Sequence, residues 1–234
     1  MLMLFGEPQR TSYDLNFSMF GIPVRVHPVF WLITLMLGYD LGDVASVLTW
    51  VLAVFVAILV HELGHALVMR IYGFEPWIVL YGLGGQTAYE PGYRVHPRGQ
   101  GTLAQVLISV AGPMAGFLLA GLVLLGLYWA DQRHVSLNSN VLRLFYFIFS
   151  VGVVWGVVNL FPIYPLDGGQ IARELLSRLN SHHGVGWSLW LSIATAVGLA
   201  LVGLLWERNW FIALMFGYLA YINYTVLQAY RRGW

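Results

Sequence analysis

The chain has 234 residues, 59% of them hydrophobic and only 10% charged, with a formal net charge of +1 and no cysteine. Soluble domains carry about 25% charged residues, so most of this surface faces something other than water. The near-neutral charge excludes a basic field for nucleic acid, and the lack of cysteine leaves any metal to His, Asp and Glu.

The N-terminus, MLMLFGEPQR, lacks the charged start and small-residue cleavage site of a signal peptide, so the first span is expected to act as an uncleaved signal anchor. Leu15, Phe17 and Met19, then Ile22, Val24 and Val26, alternate about Phe20-Gly21, which predicts a short β-hairpin over 14–27. Pro28 suits the first turn of a helix. Apolar windows able to cross about 30 Å of hydrocarbon then recur along the chain. They predict six spans, near 28–40, 46–72, 103–130, 141–161, 185–205 and 209–229. The expected fold is an all-α polytopic membrane protein with a small hairpin, forming one membrane-embedded domain over 1–234.

All 12 basic residues are arginine. With the N-terminus inside, Arg10, Arg25, Arg70, Arg94, Arg98, Arg173, Arg178, Arg231 and Arg232 fall on the cytoplasmic side, and Arg133, Arg143 and Arg208 on the other. This bias predicts cytoplasmic N- and C-termini.

Two stretches do not read as simple helices. Residues 77–89 are apolar, too short to span and interrupted by Gly82, Gly84 and Gly85, which predicts an extended or re-entrant segment. A polar loop follows, from Glu90 to Gly101. The second stretch, Asn159-Leu160-Phe161-Pro162-Ile163-Tyr164-Pro165-Leu166-Asp167-Gly168-Gly169, breaks a helix with two prolines and a glycine pair. Asp167 is expected to cap an amphipathic helix over 168–180.

The chemistry concentrates in His61-Glu62-Leu63-Gly64-His65, at the end of the apolar run 51–60. Histidine and ionised glutamate are costly at membrane depth, so their cluster calls for a function. On a helix, positions i and i+4 share one face, so His61 and His65 can grip one ion while Glu62 reaches a bound water. Gly64 and Ala66 keep the helix thin for a neighbour. The plain alternative is a structural histidine pair hydrogen-bonded between helices.

A hydrolytic site with two histidines wants a third protein ligand and an open fourth position. His27, His96, His134, His182, His183 and the eleven acids are the pool. Asp167 stands out because it lies in a broken apolar segment, where a carboxylate is expensive; a helix cap is its ordinary role. His96, His182 and His183 read as solvated loop residues. A His2Asp set suits zinc and could also hold Mn, Co or Fe.

Together, His61-Glu62-Leu63-Gly64-His65 and Asn159-x-x-Pro162-x-x-Pro165-Leu166-Asp167-Gly168-Gly169 resemble the site-2 protease family of intramembrane zinc metalloproteases. The hairpin leading into Val26-His27-Pro28 is similar to the family's start. The resemblance implies that His61, His65 and Asp167 bind one zinc ion per chain, that Glu62 is the general base, and that Asn159 contacts substrate or the oxyanion. It implies cleavage of membrane-anchored protein substrates in or near their transmembrane segments, in a bacterial or archaeal cell membrane. Ala111-Gly112-Pro113-Met114-Ala115-Gly116 resembles the family's Ala-Gly-Pro-x-x-Asn, with Gly116 replacing the asparagine. Gly112, Gly116, Gly152 and Gly156 have the small-xxx-small spacing of close helix packing. No PDZ or CBS domain fits within this length.

The 82–85 segment could offer an edge on which an unwound substrate adds as a strand, with Gly82, Gly84 and Gly85 allowing close approach; a lipid-facing turn is the alternative. Water would reach the metal past the 89–101 loop. The competing function is a metal transporter using His61, His65 and Asp167 as a transit site, whose path would draw on Ser188, Ser192, Thr195 and Asn223. A catalytically idle adaptor is a third reading. Neither the substrate nor the oligomeric state is encoded in these motifs.

Overall fold

Pleat alternation and a permissive turn build the first element. In this computed structural model, which describes residues 8–82, 84–90 and 101–232, β1 (Leu15–Met19) and β2 (Ile22–Val26) pair antiparallel around Phe20 and Gly21, both at positive φ. That is the hairpin expected from the alternation, and paired positive φ values give a turn whose twist matches the strands. β2 pairs in parallel with β3 (Glu75–Tyr81), and β3 antiparallel with β4 (Gly84–Glu90), giving one sheet in the order β1-β2-β3-β4. The glycine-interrupted stretch is therefore extended strand, not re-entrant helix. Pairing to β3 satisfies one side of β4's backbone, and Gly82 takes the positive φ at the turn.

The helices are α1 (Pro28–Gly38), α2 (Val44–Ile71), α3 (Thr102–Gln132), α4 (Ser139–Asn159), α5 (Asp167–Leu179), α6 (Gly184–Leu205) and α7 (Trp210–Arg232). Among the described residues, α2, α3, α4, α6 and α7 are long and apolar enough to cross a membrane. At most 39% of each one's most apolar window is buried, so their outer faces suit hydrocarbon. The first of the six expected spans is the short one: α1 has 11 residues, about 17 Å of helix, roughly half the hydrocarbon thickness. The polar stretch 91–100, with Arg94, His96 and Arg98, lies outside the described residues.

The chain divides into two compact units, one within residues 1–99 and 111–156, the other within 100–110 and 157–234. In the first, Ile22, Val24 and Val26 of β2, Ile78 and Leu80 of β3, Phe30 of α1, and Val54, Ile58, Leu59, Leu63 and Ala66 of α2 form one core. This places the inner face of the sheet on the part of α2 that carries His61 to His65. Gly116 of α3 and Gly152 of α4 face each other's backbone, as their spacing predicts, and a Cβ at either would come within 3.2 Å of the other's carbonyl oxygen. The second unit centres on Ile163, Ala196, Phe216 and Ala220, which joins the loop before α5 to α6 and α7.

Candidate metal centre

The helical period decides the first half of the site. His61 and His65 lie one turn apart on α2, both buried, with their Nε2 atoms 3.2 Å apart. Two nitrogens on one tetrahedral zinc, each about 2.05 Å from it, are separated by about 3.3 Å. The pair therefore has the bite a zinc ion needs. Gly64, between them in sequence, lies against α3: a Cβ there would meet the Ala111 backbone and lie 2.8 Å from Ala115 Cβ. The thin helix does admit a neighbour.

Gly112 proves to be more than a packing glycine. A Cβ on it would lie 2.8 Å from Nε2 of His61 and closer still to Nε2 of His65. The residue keeps space open beside the two imidazoles, where an ion has to sit. Spacing alone assigns it to helix packing, because Gly112 and Gly116 differ only in what they face.

Glu62 is 4% exposed, and β4 holds its side chain. Thr87 Oγ1 lies 2.7 Å from Glu62 Oε2 and 3.1 Å from the Glu62 carbonyl oxygen, so the hydroxyl can donate to either. Gly85, two residues earlier and so on the same side of the strand, leaves room for the Glu62 carboxyl group.

The second half of the site rests on a broken loop. Asp167, Gly168 and Gly169 are all buried in the first turn of α5. A Cβ on Gly168 would strike the Leu160 carbonyl, and one on Gly169 the Ile163 backbone, so the glycine pair lets the helix start against its own approach loop. Leu166, not Asp167, is the N-cap. The expected capping role is thus corrected: Asp167 is one position inside the helix. Asn159 ends α4 and is buried, 8% exposed.

The loop is clamped from behind. Ser192 of α6 accepts a hydrogen bond from the Tyr164 amide at 3.0 Å and donates to the Ser188 carbonyl. Asn223 of α7 donates to the Tyr164 carbonyl at 2.5 Å and to the Leu219 carbonyl at 2.9 Å. Sequence reasoning missed Thr87 altogether, and it gave Ser192, Asn223 and Gly112 other roles than the ones they take here. Nothing local in the sequence ties Ser192 or Asn223 to a loop 28 or 59 residues away.

His61, His65 and Asp167 form a possible metal-binding group, the one such group among the described residues, each offering a ligand atom from a buried side chain. The other described histidines are not part of it. His27 caps α1, its Nδ1 accepting from the Val29 amide at 3.2 Å, while His134, His182 and His183 are exposed. Two imidazoles and one carboxylate, with the Gly112 space beside the imidazoles, fit zinc.

Comparisons with known proteins find relatives named as zinc metalloproteases and a solved structure of like fold. The model of peptidase family M50 matches residues 130–202, the stretch that contains Asn159 and Asp167. A zinc metalloprotease of Methanocaldococcus jannaschii is 29% identical over 71% of this chain and 47% of its own length. Rip3 of Mycobacterium tuberculosis is 29% identical over 82% and 54%, and stage IV sporulation protein FB of Bacillus subtilis 28% over 67% and 49%. The chain spans about half the length of these curated relatives. The solved structure of the site-2 protease from Methanocaldococcus jannaschii matches with a TM-score of 0.63 at 24% identity, over 91% of this chain and 94% of that one. The resemblance carried by the two motifs is borne out, the fold is that of a site-2 protease, and the five apolar helices make this an integral membrane protein.

Proposed function

We propose that this chain, similar to the M50 peptidases in sequence and to a site-2 protease in fold, is an intramembrane zinc metalloprotease that hydrolyses peptide bonds in or near transmembrane segments of membrane-anchored proteins. The observation that carries this reading is a buried His-His-Asp group with a glutamate held beside its first histidine. In it, His61, His65 and Asp167 are the ligands and Glu62 the base. Zinc bound there would supply Lewis acidity and a water whose pKa is near ~7.

The chain's own groups then divide the work. Glu62 takes a proton from the attacking water on one carboxylate oxygen and can return it to the leaving amine. Asn159, buried at the end of α4, offers an amide that can donate to the developing oxyanion. Gly82, Gly84 and Gly85 bracket the β3–β4 turn, where the edge of β4 that pairs with no strand among the described residues can take an unwound substrate. The arginine bias supports cytoplasmic termini, and the archaeal and bacterial sources of the relatives support a cell membrane of that kind.

The transporter reading loses support from the second unit. The hydroxyl of Ser192 and the amide nitrogen of Asn223, on two of the polar residues a path would need, bond the loop before Asp167 and helix carbonyls. Purified protein with zinc and a membrane-anchored reporter tests the choice. Wild type is expected to cleave, and Glu62→Gln to lose about 10²–10⁴-fold, the usual span for a general base. Undiminished cleavage by the variant removes Glu62 from its role, and zinc flux into proteoliposomes without cleavage favours the transporter.

A further inference from the structure

A general base must present one particular oxygen to its water, and a glutamate on a helix has several side-chain torsions with which to miss. A helical backbone alone does not choose among those torsions. What meets it is β4. Thr87 Oγ1 is 2.7 Å from Oε2, a normal O–H···O⁻ distance, and Thr87 is 8% exposed. The same hydroxyl lies 3.1 Å from the Glu62 carbonyl oxygen. That carbonyl belongs to the i→i+4 ladder of an uninterrupted helix, and a single hydroxyl proton favours the nearer, charged acceptor.

Gly85 completes the hold. A Cβ there would lie 2.7 Å from Glu62 Oε1 and would overlap the side-chain carbons. Gly85 and Thr87, two residues apart, project to the same side of the strand. One touches the carboxylate by leaving space and the other by donating a hydrogen bond.

We infer that Thr87 is a positioning residue for the reaction: its hydroxyl anchors Oε2 of Glu62 and so fixes the rotamer in which the carboxylate serves the attacking water, with Gly85 leaving the room that this rotamer requires. The inference rests on the protease reading above. It gives β4 a task on its inner face besides any strand pairing at its edge. A purely structural role for Thr87, tying the sheet to α2 through the Glu62 carbonyl, predicts lost stability instead of a lost rate.

The test uses the full-length purified protein loaded with zinc and the membrane-anchored reporter, comparing wild type, Thr87→Val, Thr87→Ser, Gly85→Ala and Glu62→Gln. Valine keeps the shape and removes the hydroxyl; serine keeps the hydroxyl and removes the methyl. Thr87→Val is expected to lower kcat about 10–100-fold, the equivalent of one hydrogen bond to a charged group, with KM and zinc content unchanged. Thr87→Ser should stay within about threefold of wild type, and Gly85→Ala should lower kcat as Thr87→Val does. Wild-type kcat in Thr87→Val, equal loss in the valine and serine variants, or a loss appearing only in KM or zinc content overturns the inference. Full cleavage by Glu62→Gln overturns the protease reading and this inference together. An inactive Glu62→Gln beside a fully active Thr87→Val overturns this inference alone.

Discussion

The two halves of the candidate metal centre reach the same end by opposite routes. His61 and His65 sit in the middle of a 28-residue helix, where the backbone is self-satisfied and the ligand spacing follows from 3.6 residues per turn. Asp167 stands at the exit of a proline-broken loop whose backbone satisfies itself only in part, and Ser192 and Asn223 reach in from α6 and α7 to the amide and carbonyl of Tyr164. A ligand on a helix needs room around it; a ligand after a loop needs the loop held. The glycines show the same division. Gly112 leaves space beside the imidazoles, whereas Gly168 and Gly169 let a chain segment lie against itself.

This contrast can be broken by removing room on one side and support on the other. The largest effect is expected from Gly112→Ala, whose Cβ would intrude on both imidazoles. Zinc affinity should fall at least about 10–100-fold, the range for altered support of metal ligands, and the thermal transition of the metal-free protein should fall as well, because the Cβ overlaps the buried imidazoles themselves. Wild-type zinc affinity would show that the space at Gly112 is not the ion's.

On the loop side, Asn223→Ala would leave the buried Tyr164 carbonyl without its side-chain donor, at a cost of about 1–3 kcal/mol in stability. Activity should fall with it, whereas Asn223→Asp should not rescue, since a carboxylate cannot donate to a carbonyl. Denaturation in detergent micelles reads the first expectation, and the cleavage assay reads the second.

The smallest effect lies away from both halves. Thr11 donates to Asp14 at 2.6 Å, and Arg25 bonds it at 3.0 Å, which together hold its carboxyl at about 2, below the usual 3.8. Because the folded-state value is the lower one, Asp14 contributes stability above pH 3.8 that fades as the pH falls through about 2. Asp14→Asn should therefore differ from wild type in thermal unfolding near neutral pH and converge with it below about pH 2. The metal-dependent activity of the two at neutral pH should be alike.

The same contrast explains what could be read from the sequence. The helical half was legible because its rule is local: two histidines four apart, a glutamate between, an apolar run before them. Asp167 was legible because breakers and a glycine pair mark a loop, and a carboxylate there is conspicuous. Its position inside α5 was not, since capping by sequence pattern does not say which residue has the non-helical backbone. The hairpin over 14–27 followed from alternation, whereas the glycine-rich stretch read equally as extended or re-entrant, and the parallel pairing of β3 with β2 was invisible. Thr87 could not be found at all: a period of two gives two faces, and only the sheet's packing on α2 says which one meets Glu62. The first apolar window is short in the structure as well, because α1 stops after 11 residues, with Gly42 at positive φ and Asp43 capping α2.

The central claim is that this membrane-embedded chain cuts peptide bonds inside or beside transmembrane segments, with Glu62 as the base. Mass-spectrometric mapping of the products from a membrane-anchored reporter, after incubation with the purified zinc-loaded protein, tests it most directly. The account predicts a discrete cut in or near the reporter's transmembrane segment with wild type and its loss with Glu62→Gln. An intact reporter with wild type, or the same cut at the same rate with Glu62→Gln, would contradict it.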